Sequence, residues 1–216
     1  MQVKLIIFDL DGTLVDSIAD ITQAVNYTMA CFDLPGLTVE EVKQHVGEGV
    51  GNLLSKASGG RLVDRQGDMT ELFVNYYLQH VMDYTRPYDK VIQTLETLSG
   101  YKKAVVSNKT EALSRELLCG LAMAQYFDLV TGSDTFTQRK PSPLPVLKTM
   151  DMLGASPQET LMVGDSSYDI EAGKGAGATT VAVAYGYRPI ETLTEADFII
   201  NNDIGELLPI IRQLAQ

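Results

Sequence analysis

Six short apolar runs set between helix-like segments constrain this chain more than any other feature. Val3–Phe8, Ala104–Ser107, Leu129–Thr131, Thr160–Val163, Thr179–Ala184 and Phe198–Ile200 each read as a buried strand. Between most of them, Val91–Leu98, Glu111–Leu118, Pro143–Leu153 and Asp169–Ala176 carry apolar residues at helical spacing. Strands alternating with helices build βαβ units, and these require a parallel sheet covered on both faces. The fold class predicted is therefore α/β, a Rossmann-like parallel sheet core with helices on both faces.

One interval breaks the rhythm. Between the first strand and the one at Ala104, only helical patterns occur, at Ile18–Met29, Val39–His45, Val50–Ala57 and Met69–Tyr84. Pro35-Gly36 and Gly59-Gly60 punctuate them as turns. A helical insert of this length predicts a second, all-α domain over residues 16–85. The core is then formed by 1–15 and 86–216.

Composition narrows the partners. A formal net charge of -11 argues against nucleic acid and against an anionic membrane surface. It leaves room for a small anionic substrate, because a metal and a few cations can invert the field inside a pocket. The longest uncharged run, Gly175 to Tyr187, is too short to span a membrane. The chain opens on a strand pattern with no leader-like segment, which predicts a cytoplasmic protein. Cys31 and Cys119 fit no metal-ligand spacing, and both are expected to be buried free thiols.

The first apolar run ends in Asp9-Leu10-Asp11-Gly12-Thr13. On a continuing strand, two carboxylates at i and i+2 would share one face, repelling each other and losing hydration. At the strand's carboxyl end, with a turn at Gly12, they can instead converge on a cation and a reacting group, at the edge where open α/β sheets bind ligands.

Three further strands or helix starts carry polar groups: Ser107-Asn108-Lys109, Arg139-Lys140-Pro141 and Gly164-Asp165-Ser166-Ser167-Tyr168-Asp169. Taken singly, each has a plain structural reading. Asp9 and Asp11 fit an acidic turn, Ser107-Asn108 a helix cap, and Lys140 a solvated charge. Asp165 fits an N-cap and Asp169 a dipole partner in the first turn. Together they fall on one rim and form a complete set for phosphoryl transfer. A carboxylate can act as nucleophile and a second carboxyl as acid and base, while Mg²⁺ suits the hard oxygen donors. A lysine with hydroxyl and amide donors can neutralise the phosphate oxygens.

These four motifs, in this order, resemble the haloacid dehalogenase superfamily over nearly the whole chain. The resemblance implies that Asp9 is the nucleophile and Asp11 the general acid and base. It implies Mg²⁺ held by the Asp9 carboxylate, the Asp11 carbonyl and Asp165, with Asp169 behind the metal and Thr13 supporting the loop. Ser107, Asn108 and Lys140 would hold the phosphoryl group, and the insert would be the helical cap of the subclass that closes over small substrates. The carboxyl group of Asp11 points to phosphate esters, since an alkoxide leaving group needs a proton.

Asp16-Ser17, Ser107-Asn108-Lys109 and the Lys140–Pro145 segment look most like the phosphoglycolate phosphatases of that superfamily. This implies a small phosphorylated substrate, 2-phosphoglycolate, cleaved to glycolate and phosphate by a monomer or homodimer. A glycine-punctuated stretch with Gly47, Glu48 and Gly49 is the candidate substrate loop; its plain alternative is a flexible turn. Pyrophosphate hydrolysis, a sugar-phosphate phosphatase or phosphomutase, and a non-catalytic phosphate- or partner-binding module are the alternatives. Two departures from the family pattern are Tyr88-Asp89-Lys90 and Arg188. The latter is expected to be a surface charge, or else a cation at the site's rim.

Overall fold

The all-apolar sequence Leu5-Ile6-Ile7-Phe8 has no polar face, so the strand it forms must be covered on both sides. All four residues are fully buried. The computed structural model describes residues 2–61 and 63–215. Its strands are β1 Leu5–Phe8, β2 Val15–Asp16, β3 Arg86–Pro87, β4 Lys102–Val106, β5 Leu129–Thr131, β6 Thr160–Gly164, β7 Thr179–Val183 and β8 Phe198–Ile200. Its α-helices are α1 Ile18–Cys31, α2 Val39–His45, α3 Val50–Ala57, α4 Gln66–His80, α5 Val91–Thr97, α6 Glu111–Gly120, α7 Leu144–Leu153, α8 Ser167–Gly175 and α9 Leu207–Leu214. No helix of the described residues is long and apolar enough to cross a membrane.

Six strands form one parallel sheet in the order β5-β4-β1-β6-β7-β8, with β1 between β4 and β6. Leu5 faces Lys102 on one side and Thr160 on the other. Side chains then divide by strand period. Ile6 and Phe8 join Val105 and Val163 in the larger core. Leu5 and Ile7 join Ala104, Val106 and Met162 beneath Val146 and Met150 of α7, Ala172 of α8 and Ala176 just past its end. Each large side chain so buried contributes about 1.5–3 kcal/mol.

The six predicted core strands are all present, with ends shifted by at most two residues. The two-residue strands β2 and β3 are additional and pair antiparallel, Val15 opposite Pro87 and Asp16 opposite Arg86. They lie where the chain leaves the sheet for α1–α4 and where it returns. The helix predicted over Met69–Tyr84 runs instead from Gln66 to His80. Beyond its end the buried Asp20 carboxylate holds the chain, accepting from Tyr84 N at 3.0 Å, Thr85 N at 2.8 Å and Thr85 Oγ1 at 2.7 Å. Helix α9 had no counterpart in the sequence reading, although Leu207 and Ile211 bury one face of it.

Cys31 and Cys119 are free thiols but are exposed, contrary to expectation. Each sits in the last turn of a helix whose neighbouring residues, Met29 in one and Leu117 and Leu118 in the other, already take the inward positions.

Candidate active site

Asp9 immediately follows β1, and its N–H donates to Val163 O of β6 at 2.9 Å, so the sheet fixes where the chain departs. The turn that follows needs Gly12. Its φ is +86°, and a Cβ there would lie 2.3 Å from Asp165 Oδ2. Ser107 follows β4 and Asp165 follows β6, so all three belong to the carboxyl edge of one parallel sheet. Lys140 reaches the same place from the segment before α7.

Lys140 Nζ is 2.9 Å from Asp9 Oδ1 and 2.6 Å from Asp169 Oδ1, and the three residues are buried together. Asp169 Oδ2 is committed elsewhere, accepting from Ser166 N at 3.1 Å and Ser166 Oγ at 2.6 Å in a capping box that starts α8. Asp165 Oδ2 accepts from Tyr187 N at 2.7 Å. Carboxylate oxygens of Asp9, Asp165 and Asp169 lie within 4.8 Å of one another.

Burial has the largest influence on Asp9 and, with Asp169, outweighs Lys140, lifting its carboxyl to about 6. Burial also pushes Asp165 well above the usual carboxylate range, with Asp9 and Asp169 adding to the rise. Burial alone would lower Lys140, yet Asp169 and Asp9 hold it above its ordinary value. Three buried carboxylates against one ammonium leave a formal double negative charge on hard oxygen donors. That donor set fits a divalent cation such as Mg²⁺. Asp9 and Asp165 keep oxygens for it, whereas both oxygens of Asp169 already have partners.

Asp11 is held separately. Ser17 Oγ donates to its Oδ1 at 2.5 Å, and Lys109 Nζ is 3.0 Å from its Oδ2. Ser17 N in turn donates to Tyr187 OH at 2.8 Å, so Tyr187 ties the Asp11 and Asp165 loops together. The Thr13 side chain is fully buried, and its carbonyl accepts from Tyr185 OH at 3.0 Å. This anchors the turn after Asp11.

The glycine-punctuated segment docks directly on this edge. Asn108 Nδ2 donates to Gly47 O at 2.7 Å and to Lys140 O at 2.9 Å, which commits both amide protons. Asn108 Oδ1 is buried without a hydrogen-bond partner among the described residues. Glu48 accepts from Tyr168 OH at 2.7 Å and pairs with Lys56 at 2.6 Å. Gly47 and Gly49 have φ of +101° and +83°, and a Cβ on Gly49 would touch Arg139 Nη1 at 3.0 Å.

Arg188 is not an idle surface charge: its positive charge acts on Asp165, opposing the rise that burial causes, and its side chain also reaches the insert. Its guanidinium donates to Lys43 O and Gln44 O at 3.1 Å each, and to Val46 O. It therefore satisfies the carbonyls that end α2, where a cation is favoured. Between insert and sheet edge lies a cavity of about 40 Å³, walled by Asp11, Lys109, Asn108, Val46 and Phe73 among others.

A family model described as haloacid dehalogenase-like hydrolase matches residues 6–183, from β1 through β7. The chain belongs to the haloacid dehalogenase-like hydrolases. Within that family it is 44% identical over 186 residues to a phosphoglycolate phosphatase of Aquifex aeolicus, covering 85% of this chain and 86% of that one. A phosphoglycolate phosphatase of Chromobacterium violaceum is 39% identical over 218 residues, covering 98% and 97%. A crystal structure from Haemophilus somnus, described as that of a predicted phosphoglycolate phosphatase, superposes with a TM-score of 0.90. It shares 32% identity and covers 97% of this chain and 98% of its own.

Three residues of this haloacid dehalogenase-like site escaped the sequence reading. Lys109 stands in the Ser107-Asn108-Lys109 motif, but the sequence assigns it no role of its own. Yet it is buried and paired with Asp11, with Tyr77 OH at 3.0 Å and the Tyr77 ring centroid 4.5 Å away. Tyr77 comes from α4, 32 residues earlier, and no local pattern signals the pair. Tyr187 lies four residues past the end of β7, in the loop that returns over the carboxyl edge of the sheet.

Proposed function

We propose that this phosphatase of the haloacid dehalogenase-like family hydrolyses a very small phosphate monoester, 2-phosphoglycolate, to glycolate and phosphate. The observation that carries this reading is that Asp11, close to the Asp9–Lys140 pair, lines a cavity between the sheet edge and the insert, where a leaving group could depart. The relatives' names favour the same substrate.

In this reading an oxygen of Asp9 attacks phosphorus while the bond from phosphorus to the alkoxy oxygen breaks. Asp11 supplies the proton that the departing oxygen needs. Water then attacks phosphorus of the Asp9 acyl phosphate, its proton passes to Asp11, and phosphate leaves with the Asp9 carboxylate restored. Lys140 and the Ser107 hydroxyl neutralise phosphate oxygens, and Asp169 fixes the Lys140 ammonium between itself and Asp9. Asn108 acts by holding the Lys140 and Gly47 carbonyls, and Thr13 steadies the loop.

Mg²⁺, held by Asp9, the Asp11 carbonyl and Asp165, would supply charge neutralisation for the phosphoryl oxygens. Residues 16–85 act as the cap that screens the reaction from water, with the loop at Gly47, Glu48 and Gly49 as its contact with the core.

The test is a kcat/KM panel covering 2-phosphoglycolate, pyrophosphate, β-glucose 1-phosphate and several larger sugar phosphates. Preference for 2-phosphoglycolate supports the proposal; preference for a hexose phosphate overturns the choice of substrate.

A further inference from the structure

The cavity beside Asp11 is mostly apolar, with Val46, Leu53, Phe73 and Leu113 among its walls. Two of the residues lining it bear charge, Asp11 and Lys109. A wholly apolar pocket would suit an uncharged leaving group, and a buried lysine in such a wall is costly unless something there repays its desolvation. Asp11 repays part of it from 3.0 Å. The ammonium has three protons, and its two hydrogen-bonding partners among the described residues are Asp11 and Tyr77. One donor remains on a group that lines the cavity.

An ammonium in this site can serve two carboxylates at once. Lys140 does so with Asp9 at 2.9 Å and Asp169 at 2.6 Å. Lys109 has one carboxylate and a vacant donor beside the space into which the leaving group must depart, because Asp11, the proton donor, faces that space. Tyr77 fixes the direction of the ammonium. Its hydroxyl accepts from Nζ, its ring lies against the cation, and the whole side chain is buried in α4.

We propose that Lys109 is a specificity-determining residue, binding the carboxylate of an anionic leaving group while Tyr77 of the helical insert positions it. The inference rests on the small-ester reading above and adds to it the residue that reads the charge of the leaving group. Because Tyr77 comes from the insert and Lys109 from the sheet edge, recognition is complete only when the two parts are together.

The test compares kcat/KM for 2-phosphoglycolate and for its uncharged isostere, phosphoglycolamide, in wild type, Lys109→Gln and Tyr77→Phe. The wild-type enzyme is expected to prefer the carboxylate, and Lys109→Gln to reduce that preference about 10- to 100-fold, as loss of a charge-assisted hydrogen bond does. Tyr77→Phe removes one hydroxyl and is expected to reduce the preference by a smaller factor, raising KM more than it lowers kcat. It carries the same test if Lys109→Gln does not fold. Equal losses on both substrates in either variant would mean that Lys109 acts only through Asp11, and would overturn the proposal. So would an unchanged preference. A wild-type enzyme with no preference for the carboxylate would instead sink the small hydroxy-acid ester reading itself.

Discussion

The Arg188 guanidinium donates a hydrogen bond to the Gln44 carbonyl at 3.1 Å, joining the loop after β7 to the end of α2. The same loop holds Asp165 through Tyr187 N, so one short stretch touches both the carboxylate cluster and the helical insert. Together with Asn108 and Tyr168 it makes three grips on residues 46–48.

Arg188→Ala should therefore loosen the insert and leave the carboxylate cluster in place. We expect KM for the small substrate to rise about tenfold, the worth of roughly one charge-assisted hydrogen bond, with kcat changed less. Faster amide hydrogen exchange over residues 46–57 should accompany it. Unchanged exchange would show that the three carbonyl contacts do not restrain the insert.

Gly12→Ala tests the turn between the two carboxylates. The substitution forces a Cβ to within 2.3 Å of Asp165 Oδ2 at a φ of +86°. A displacement near 1 Å in such a site costs about 100-fold in rate, and that loss is expected here. Positive φ alone accounts for about 1 kcal/mol of lost stability. A thermal melt beside a turnover assay separates the two effects; near-normal turnover would contradict the proposed crowding.

Much of this site was legible because Asp9, Ser107 and Asp165 each directly follow an apolar run. In a parallel sheet the runs end on one rim, so Asp9, Ser107 and Asp165 could be brought together without any knowledge of side-chain positions. Contacts between the rim and the insert were not legible. Lys109 meets Tyr77, Tyr168 meets Glu48, and Arg188 meets Gln44 across long sequence separations, through packing that no local period encodes. The strands β2 and β3 were hidden for another reason: two residues each are too few for an alternating pattern to appear.

Asp165→Asn addresses the cation. If the double negative charge at Asp9, Asp165 and Asp169 is what binds Mg²⁺, the ion should raise the melting temperature of wild type. A concentration of about 100 times Kd corresponds to roughly 2.7 kcal/mol of added stability. Chelation should remove the shift and abolish turnover, and Asp165→Asn should show little or no shift. A full Mg²⁺ shift in the variant would place the ion elsewhere.

Asp20 is a structural counterpart to these site residues. Its buried carboxylate gathers Tyr84 N, Thr85 N and Thr85 Oγ1, tying the start of α1 to the strand that returns to the sheet. Asp20→Ala leaves those donors without their acceptor, and we expect a loss of about 3 kcal/mol in urea unfolding. A loss below about 0.5 kcal/mol, typical of a surface change, would contradict this account of the junction.

The most direct measurement concerns Asp9 itself. Wild-type enzyme turning over p-nitrophenyl phosphate is quenched with borohydride, which reduces an aspartyl phosphate to homoserine, and the peptides are read by mass spectrometry. Our account predicts homoserine at position 9, with neither the modification nor turnover in Asp9→Asn. Efficient turnover by Asp9→Asn, or a trapped phosphoryl group at any other residue, would contradict it.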